Sequence, residues 1–198
     1  MFRLDGKVAL VSGAGRGMGF GVAQTLARQG ATVIINDFYA ERAEAAAQLL
    51  QDEGLRAHAA AADMTDRSAI FAMVEKLVAE HGAIDVFVHN AGIPAQGWGY
   101  SQFMDSPPSE WDAWLQLNLH GLMHACQAIL PGMMARRWGR IVAINDTELQ
   151  WLGYTREEVI GHLHFRDVTL ASRVPLLEDR MARLLRDGVL SGAEYEIR

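Results

Sequence analysis

A glycine-rich turn near the start of the chain has the spacing that could bind a phosphate group. Residues 8–19 read V-A-L-V-S-G-A-G-R-G-M-G, an apolar run that passes through glycines into a helical pattern. Gly13, Gly17 and Gly19 carry no side chains, so backbone N–H groups at the start of the next helix can point at an anion. The pattern predicts a site for a dinucleotide pyrophosphate, although the same glycines also suit a tight turn that holds no ligand.

An acidic side chain follows where the ribose of such a dinucleotide needs a hydrogen-bond acceptor. Asp37 ends the second apolar run, 18 residues after Gly19, and its carboxylate can accept hydrogen bonds from both ribose hydroxyls. A carboxylate repels a 2′-phosphate, so the sequence predicts NAD as cofactor and disfavours NADP. Arg16 is the obvious nearby cation that could offset this repulsion. The alternative role for Asp37 is a turn at the strand end.

The elements that must position these residues alternate along the chain. Strand-like apolar runs are predicted over residues 8–11, 32–36, 57–62, 86–89 and 141–144. Helical patterns end at residue 29 and cover residues 41–53, 67–81 and about 109–136. Strands that are buried on both faces and separated by helices favour a parallel sheet. The predicted fold is therefore α/β, a doubly wound Rossmann-type sheet of about five strands in the order 3-2-1-4-5.

Composition limits the classes of partner. The chain has 198 residues, half of them hydrophobic, a formal net charge of −6 and a single cysteine, Cys126. The negative charge disfavours nucleic acid and anionic membranes as partners. One cysteine excludes an internal disulfide, and no apolar run approaches the ~20 residues of a membrane span. Since the first residues also lack a signal-segment pattern, we expect a cytoplasmic protein with no membrane partner.

Several motifs together form a family resemblance. Residues 1–144 resemble the amino-terminal part of a short-chain dehydrogenase/reductase, a family that transfers hydride between a nicotinamide cofactor and a carbonyl or alcohol. Residues 12–19 resemble the family's glycine signature, with Ser12 in place of its usual threonine. The resemblance implies that the cofactor is bound by Ser12, Gly13, Arg16, Gly17, Met18, Gly19, Asp37, Asp63, Met64, Asn90, Ala91 and Gly92.

The later motifs occur in the family's order. Asp63-Met64 resembles the acidic-apolar pair that contacts adenine, and Asp85 matches an aspartate that precedes the fourth strand. His89-Asn90-Ala91-Gly92 resembles the family's Asn-Asn-Ala-Gly motif, and Asn118 matches the helix asparagine of its catalytic tetrad. Each has a structural alternative: a turn cap for Asp63, backbone pairing for Asn90, and packing or a water site for Asn118.

The rest of the catalytic tetrad is expected to be absent. The family uses a tyrosine as acid and base, a lysine that lowers the tyrosine pKa, and a serine that orients the substrate. Asn145-Asp146 stands where the serine is expected, and Val159 and Leu163 fall near the tyrosine and lysine positions. Asn118 is then the one surviving match. We expect hydride transfer to be impaired, with a small alcohol or ketone as substrate only if activity remains.

The last quarter of the chain changes in composition. Charged side chains number 17 in the 54 residues 145–198, against 25 in the 144 residues before them. About residues 140–198 resemble the early part of a PAS sensory domain, through Asn145-Asp146 and the run L-G-Y-T-R-E-E-V-I-G at 152–161. The predicted domains are therefore 1–144, a truncated dinucleotide-binding domain, and 145–198, a partial PAS-like α+β segment.

Alternatives to an oxidoreductase remain open at this level. One is a non-catalytic sensory or interaction protein that uses the PAS-like segment, with homo-oligomers as an associated possibility. Another is a recombined chain that joins two partial domains. A metal site is not predicted, because His120 with His124 and His162 with His164 each lack a third ligand.

Overall fold

The computed structural model describes residues 3–94, 103–105 and 107–143. Its strands are β1 (Val8–Val11), β2 (Thr32–Asp37), β3 (Ala57–Ala61), β4 (Val86–His89) and β5 (Arg140–Ala143). Its helices are α1 (Gly17–Arg28), α2 (Ala40–Asp52), α3 (Arg67–His81), α4 (Pro108–Leu115) and α5 (Leu122–Ala135). The chain divides into two units, Met1–Asn145 and Asp146–Arg198, and all described residues lie in the first.

The five strands form one parallel sheet in the order β3-β2-β1-β4-β5, which confirms the predicted fold. Consecutive parallel strands need a crossover, and the helices between the strands supply it. β1 lies at the centre, where all four of its residues are buried. β5 lies at one edge, and its four residues are exposed.

Alternate side chains of the strands enter two apolar layers, one on each face of the sheet. In β1, Ala9 and Val11 enter the first layer, whereas Val8 and Leu10 enter the second. Helices α1 and α2 close the first layer mainly with alanines, and α3 and α5 close the second with larger side chains such as Met73. With both faces covered, the strands can be apolar on both sides, as the sequence pattern indicated.

The helix predicted over 109–136 contains a π-helical segment, Gln116–Gly121, which joins α4 to α5. A π-helix closes hydrogen bonds over five residues, and such short segments occur frequently at functional sites. No residue pattern had predicted it. The segment holds Asn118, so this irregularity determines where the candidate tetrad residue lies.

A buried carboxylate joins the starts of the two central strands. Asp85 accepts a hydrogen bond from the Val8 N–H at 3.0 Å, and Lys7 Nζ and Arg136 Nη2 lie 3.6 Å and 3.4 Å from Asp85 Oδ1. The aspartate expected before the fourth strand therefore pairs with β1 and with two cations.

We expect Asp85→Ala to lower the free energy of unfolding by about 2–4 kcal/mol, because it leaves the Val8 N–H without its acceptor and two cations without their anion. Urea denaturation measures the change. Asp52→Ala, at an exposed carboxylate on α2, is the matched control and should change stability by less than about 0.5 kcal/mol. Equal stabilities of the two variants would contradict the role assigned to Asp85.

Candidate functional site

The carboxyl ends of β1, β2 and β4 meet at one edge of the sheet, where the strand order reverses between β1 and β4. Ligands of doubly wound sheets bind at such a switch point. Ser12, Asp37 and Asn90 all lie at these strand ends. The fold therefore brings together three residues that are far apart in the sequence.

The glycine turn between β1 and α1 has a backbone that other residues would strain. Gly13 and Gly17 have φ angles of +61° and +59°, in the left-handed region that favours glycine. A Cβ on Gly13 would lie 2.9 Å from the Cα of Ala91. A Cβ on Gly19 would contact the Gly13 carbonyl oxygen and the side-chain amide of Asn90. The turn thus packs directly against the loop that follows β4.

The N-terminus of α1 presents backbone donors without a side-chain cap. Arg16, the N-cap residue, is exposed and makes no capping hydrogen bond, and the first turn of α1 contains no acidic residue. In contrast, the Asp66 side chain caps α3 by accepting from the N–H groups of Ser68 and Ala69. Uncapped N–H groups at the positive end of a helix dipole favour an anion. The start of α1 therefore fits a pyrophosphate group.

Asp37 joins the glycine turn to the loop that follows β2. Its buried carboxylate accepts hydrogen bonds from the N–H groups of Gly15 and Tyr39, both at 3.1 Å. An ionised carboxylate offers about four acceptor positions. Two protein donors leave acceptor capacity for two ribose hydroxyls, so the arrangement is compatible with the predicted ribose contact.

The predicted adenine pair makes local contacts. Asp63 Oδ1 accepts from the N–H and the hydroxyl of Thr65, at 2.8 Å and 2.7 Å. Met64 is buried in the apolar layer beneath α3 and α5. The turn contact of Asp63 matches the structural alternative, and its second carboxylate oxygen has no hydrogen bond assigned within the described ranges.

Ser12 and Asn90 hold the first and fourth strand ends together. Asn90 Nδ2 donates to the carbonyl oxygens of Ser12 and Gly13, at 3.2 Å and 3.0 Å. The backbone N–H groups of Asn90 and Ala91 both donate to Ser12 Oγ at 3.1 Å. Four hydrogen bonds therefore fix the loop that begins the Asn-Ala-Gly run.

Asn118 reaches the same loop from the π-helical segment. Its Nδ2 donates to the carbonyl oxygen of Gly92 at 2.9 Å and to that of Trp114 at 3.1 Å. The structure thus brings the tetrad match close to the end of β4. The positions expected for the serine, tyrosine and lysine of the tetrad lie outside the described residues; they are Asn145-Asp146, Val159 and Leu163. The PAS-like run also lies outside the described residues.

His89, to which the motif resemblance assigned no role, also lies among these residues. It is 3% exposed, its Nδ1 lies 3.2 Å from Ser12 Oγ, and its Nε2 lies 3.2 Å from the Leu117 carbonyl oxygen. The sequence feature that could have indicated its role is a histidine at the end of an apolar strand, where the family's Asn-Asn-Ala-Gly motif has asparagine. Burial lowers the pKa of His89, and the hydrogen bond to the Leu117 carbonyl opposes this shift.

The lowered pKa of His89 predicts a pH dependence of stability. A group with a depressed pKa binds more protons in the unfolded chain, so the free energy of unfolding should fall as the pH drops from 7.5 to 5.5, below the ordinary histidine pKa of about 6.5. The pKa of His58 is also lowered, by burial and by His81. Urea denaturation at both pH values should give a smaller drop for His89→Gln than for the unaltered chain. An undiminished drop in His89→Gln, with loss of the drop in His58→Gln, would assign the effect to His58 instead.

The described ranges contain neither a cluster of three metal-binding side chains nor a membrane-spanning helix. His120 and His124 have ring centroids 6.4 Å apart, and His120 Nδ1 lies 2.7 Å from Gln116 Oε1. Over residues 3–94, 103–105 and 107–143, no three His, Cys, Asp or Glu side chains are arranged to hold a metal ion. In the same ranges, no helix combines the length and hydropathy needed to cross a bilayer.

Known sequences match the part of the chain that contains this site. A family model described as short chain dehydrogenase matches residues 7–148. D-beta-hydroxybutyrate dehydrogenase of Cupriavidus necator is 37% identical over 144 residues, which cover 73% of this chain and 54% of that protein. 5-Keto-D-gluconate 5-reductase of Escherichia coli K12 is 38% identical over 144 residues, with coverages of 73% and 55%. The chain spans about half the length of the curated relatives it matches.

Solved structures match the same part of the chain. A gluconate 5-dehydrogenase from Burkholderia cenocepacia, in complex with NADP and tartrate, has a TM-score of 0.66 at 37% identity, covering 72% of this chain and 54% of that one. A metagenomic short-chain oxidoreductase in complex with NADP has a TM-score of 0.66 at 34% identity, with coverages of 71% and 62%. These similarities agree with the observed fold.

Proposed function

This chain belongs to the short-chain dehydrogenase family and has its nicotinamide cofactor-binding fold; we propose that it binds NAD(H) in preference to NADP(H). One observation supports this most: the uncapped start of α1 lies beside the buried Asp37 carboxylate, which is hydrogen-bonded to Gly15 of the same turn. An anion-binding helix end next to a ribose acceptor is what a dinucleotide requires.

The proposed roles follow the order of the dinucleotide. The glycine turn and the first N–H groups of α1 would hold the pyrophosphate; the residues concerned are Ser12, Gly13, Arg16, Gly17, Met18 and Gly19. Asp37 accepts from the adenosine ribose hydroxyls, and Asp63-Met64 borders the adenine. Asn90, Ala91 and Gly92 hold the loop beside the nicotinamide ribose. When bound, the nicotinamide supplies the hydride donor or acceptor.

The preference for NAD(H) rests on the charge of Asp37. A buried carboxylate at the ribose end disfavours the 2′-phosphate of NADP(H). Two cations lie near this end: Arg16, exposed at the start of α1, directly follows Gly15, whose N–H donates to Asp37, and the Arg42 guanidinium lies over the Tyr39 ring at 4.1 Å. They would lower the repulsion, but the Asp37 carboxylate occupies the position that the 2′-phosphate needs, so in this proposal NADP(H) is the weaker ligand, although the two similar structures hold NADP.

We further propose that catalysis is impaired. The side-chain amide of Asn118 already donates to two carbonyl oxygens and cannot transfer a proton near neutral pH. Val159 and Leu163, at the positions where the family's tyrosine and lysine are expected, also lack a transferable proton. In this proposal the chain binds the cofactor, and the three positions expected for Asn, Tyr and Lys of the tetrad supply no acid or base to protonate a carbonyl or deprotonate an alcohol.

Fluorescence titrations with NADH and NADPH test the proposed cofactor binding. Turnover assays on simple ketones and alcohols test the proposed impairment of catalysis. We expect saturable binding of NADH, weaker binding of NADPH and no turnover above the rate without protein. Clear turnover would contradict impairment, and absence of NADH binding would contradict the proposed function itself.

A second candidate function is non-catalytic sensing or interaction through residues 145–198. Two observations favour it: the PAS-like run, and the division of the chain after Asn145. We propose domains at 1–144 and 145–198, a cytoplasmic location and homo-oligomer formation, with no nucleic-acid partner. Sedimentation velocity of the full chain with and without NADH tests the oligomer. A monomeric mass in both samples would count against it.

A further inference from the structure

A chain of hydrogen bonds around His89 joins the glycine turn to the π-helical segment. The backbone N–H groups of Asn90 and Ala91 donate to Ser12 Oγ, Ser12 Oγ lies 3.2 Å from His89 Nδ1, and His89 Nε2 lies 3.2 Å from the Leu117 carbonyl oxygen. Leu117 directly precedes Asn118. These hydrogen bonds therefore connect the end of β1 to Leu117, the residue before Asn118.

The chemistry of the end groups fixes the direction of every bond in this chain. A backbone N–H can only donate, so the two donors occupy both lone pairs of Ser12 Oγ. The Ser12 hydroxyl hydrogen is then left for His89 Nδ1, which must accept. The Leu117 carbonyl can only accept, so His89 Nε2 must carry the hydrogen. Only the neutral imidazole with its hydrogen on Nε2 satisfies all of these bonds.

We propose that His89 is a positioning residue. In its Nε2–H form it fixes the loops after β1 and β4 relative to the π-helical segment that holds Asn118. Asn118 makes the reciprocal link, because its Nδ2 donates back to the Gly92 carbonyl oxygen at 2.9 Å. The loop of residues 89–92 is thus joined to residues 117–118 by two bonds of opposite direction. A protonated His89 would direct a second donor at Ser12 Oγ, whose lone pairs are already used. The effect on cofactor affinity rests on the proposed function, whereas the link itself does not.

Two substitutions of His89 each remove one of its two hydrogen bonds and keep the other. Asn at position 89 places a carbonyl oxygen near the position of Nδ1, so His89→Asn keeps the acceptor for the Ser12 hydroxyl and leaves the Leu117 carbonyl without its donor. Gln reaches further, so His89→Gln keeps a donor for Leu117 and leaves Ser12 without its acceptor. His89→Phe removes both bonds. His58→Gln, on β3, is the control for a histidine that takes no part in the site.

Hydrogen–deuterium exchange of the full chain should distinguish the variants. We expect faster exchange at residues 114–121 in His89→Asn, at residues 90–91 in His89→Gln, and at both in His89→Phe. Nitrogen NMR of the unaltered chain should show a protonated Nε2 and an unprotonated Nδ1. The same exchange pattern in the Asn and Gln variants, or a hydrogen on Nδ1, would overturn the proposal.

NADH affinity provides the readout that a purely structural histidine would not change. The dissociation constant should rise about tenfold in His89→Gln and His89→Phe, which lose the bond to the glycine turn, and by less than about threefold in His89→Asn. Lower melting temperatures in all three variants with an unchanged dissociation constant would overturn the positioning role. If the unaltered chain does not bind NADH, the proposed function fails, while the exchange and NMR results still decide the role of His89.

Discussion

Gly19→Ala is expected to raise the dissociation constant for NADH by about a hundredfold or more, equivalent to about 2.7 kcal/mol. The added methyl group would contact the Gly13 carbonyl oxygen, lie 2.5 Å from Asn90 Nδ2 and lie 2.9 Å from the Ala14 Cα. Two of these neighbours are backbone atoms that cannot rotate away. The turn must therefore move away from α1, and the N–H groups that would face the pyrophosphate move with it.

Gly21→Ala in the same helix is the matched control, because no atom lies within 4 Å of an added Cβ there. Alanine favours helix over glycine by about 1 kcal/mol, so this variant should be slightly more stable and should bind NADH unchanged. Fluorescence titration and thermal unfolding of both variants make the comparison. If Gly19→Ala binds NADH as tightly as Gly21→Ala does, the glycine turn is not the cofactor cradle.

The second large effect is expected at Asp37. Asp37→Ala should raise the NADH dissociation constant about thirtyfold, because it removes the ribose acceptor and also leaves the N–H groups of Gly15 and Tyr39 without their partner. Asp37→Asn keeps one acceptor oxygen but loses the charge. It should bind NADH about tenfold more weakly and bind NADPH more tightly than the unaltered chain does, since the repulsion of the 2′-phosphate is gone.

Asp66→Ala is a control of the same chemistry away from the site. Asp66 also accepts hydrogen bonds from two backbone N–H groups, those of Ser68 and Ala69 at the start of α3. Its loss should lower the free energy of unfolding by about 1 kcal/mol and leave the NADH dissociation constant unchanged. Titration with both cofactors decides the matter. An unchanged ratio of NADH to NADPH affinity in Asp37→Asn would refute the charge argument for NAD preference.

The sheet could be predicted from the sequence because each strand and helix is marked by the residue pattern of its own short stretch of the chain. Apolar runs of strand length, separated by helices with regular periodicity, allow few parallel topologies, and the observed order is the predicted one. The ends of the strands moved by a residue, as for β2, which continues through Asp37. The π-helical segment was missed because a register of five residues leaves no mark on the hydrophobic pattern.

The site was predictable to the extent that residue spacing determines it. Glycine spacing and the distance to Asp37 predicted a phosphate-binding turn and a ribose acceptor, and the structure joins these residues by the hydrogen bond from the Gly15 N–H to Asp37. The role of His89 could not be predicted, because its partners Ser12 and Leu117 are 77 and 28 residues away in the chain. Which polar atoms meet across such distances depends on the packing of helices on the sheet.

The hydrogen bonds that join the loops after β1, β2 and β4 have a consequence for binding kinetics. Because hydrogen bonds within the protein, made by Asp37, Ser12 and Asn90, hold these loops together, little conformational entropy remains to be lost when a dinucleotide binds. Association should then be a single step whose rate rises linearly with ligand concentration. Substitutions in these loops should change mainly the rate of dissociation, and so the residence time of the cofactor.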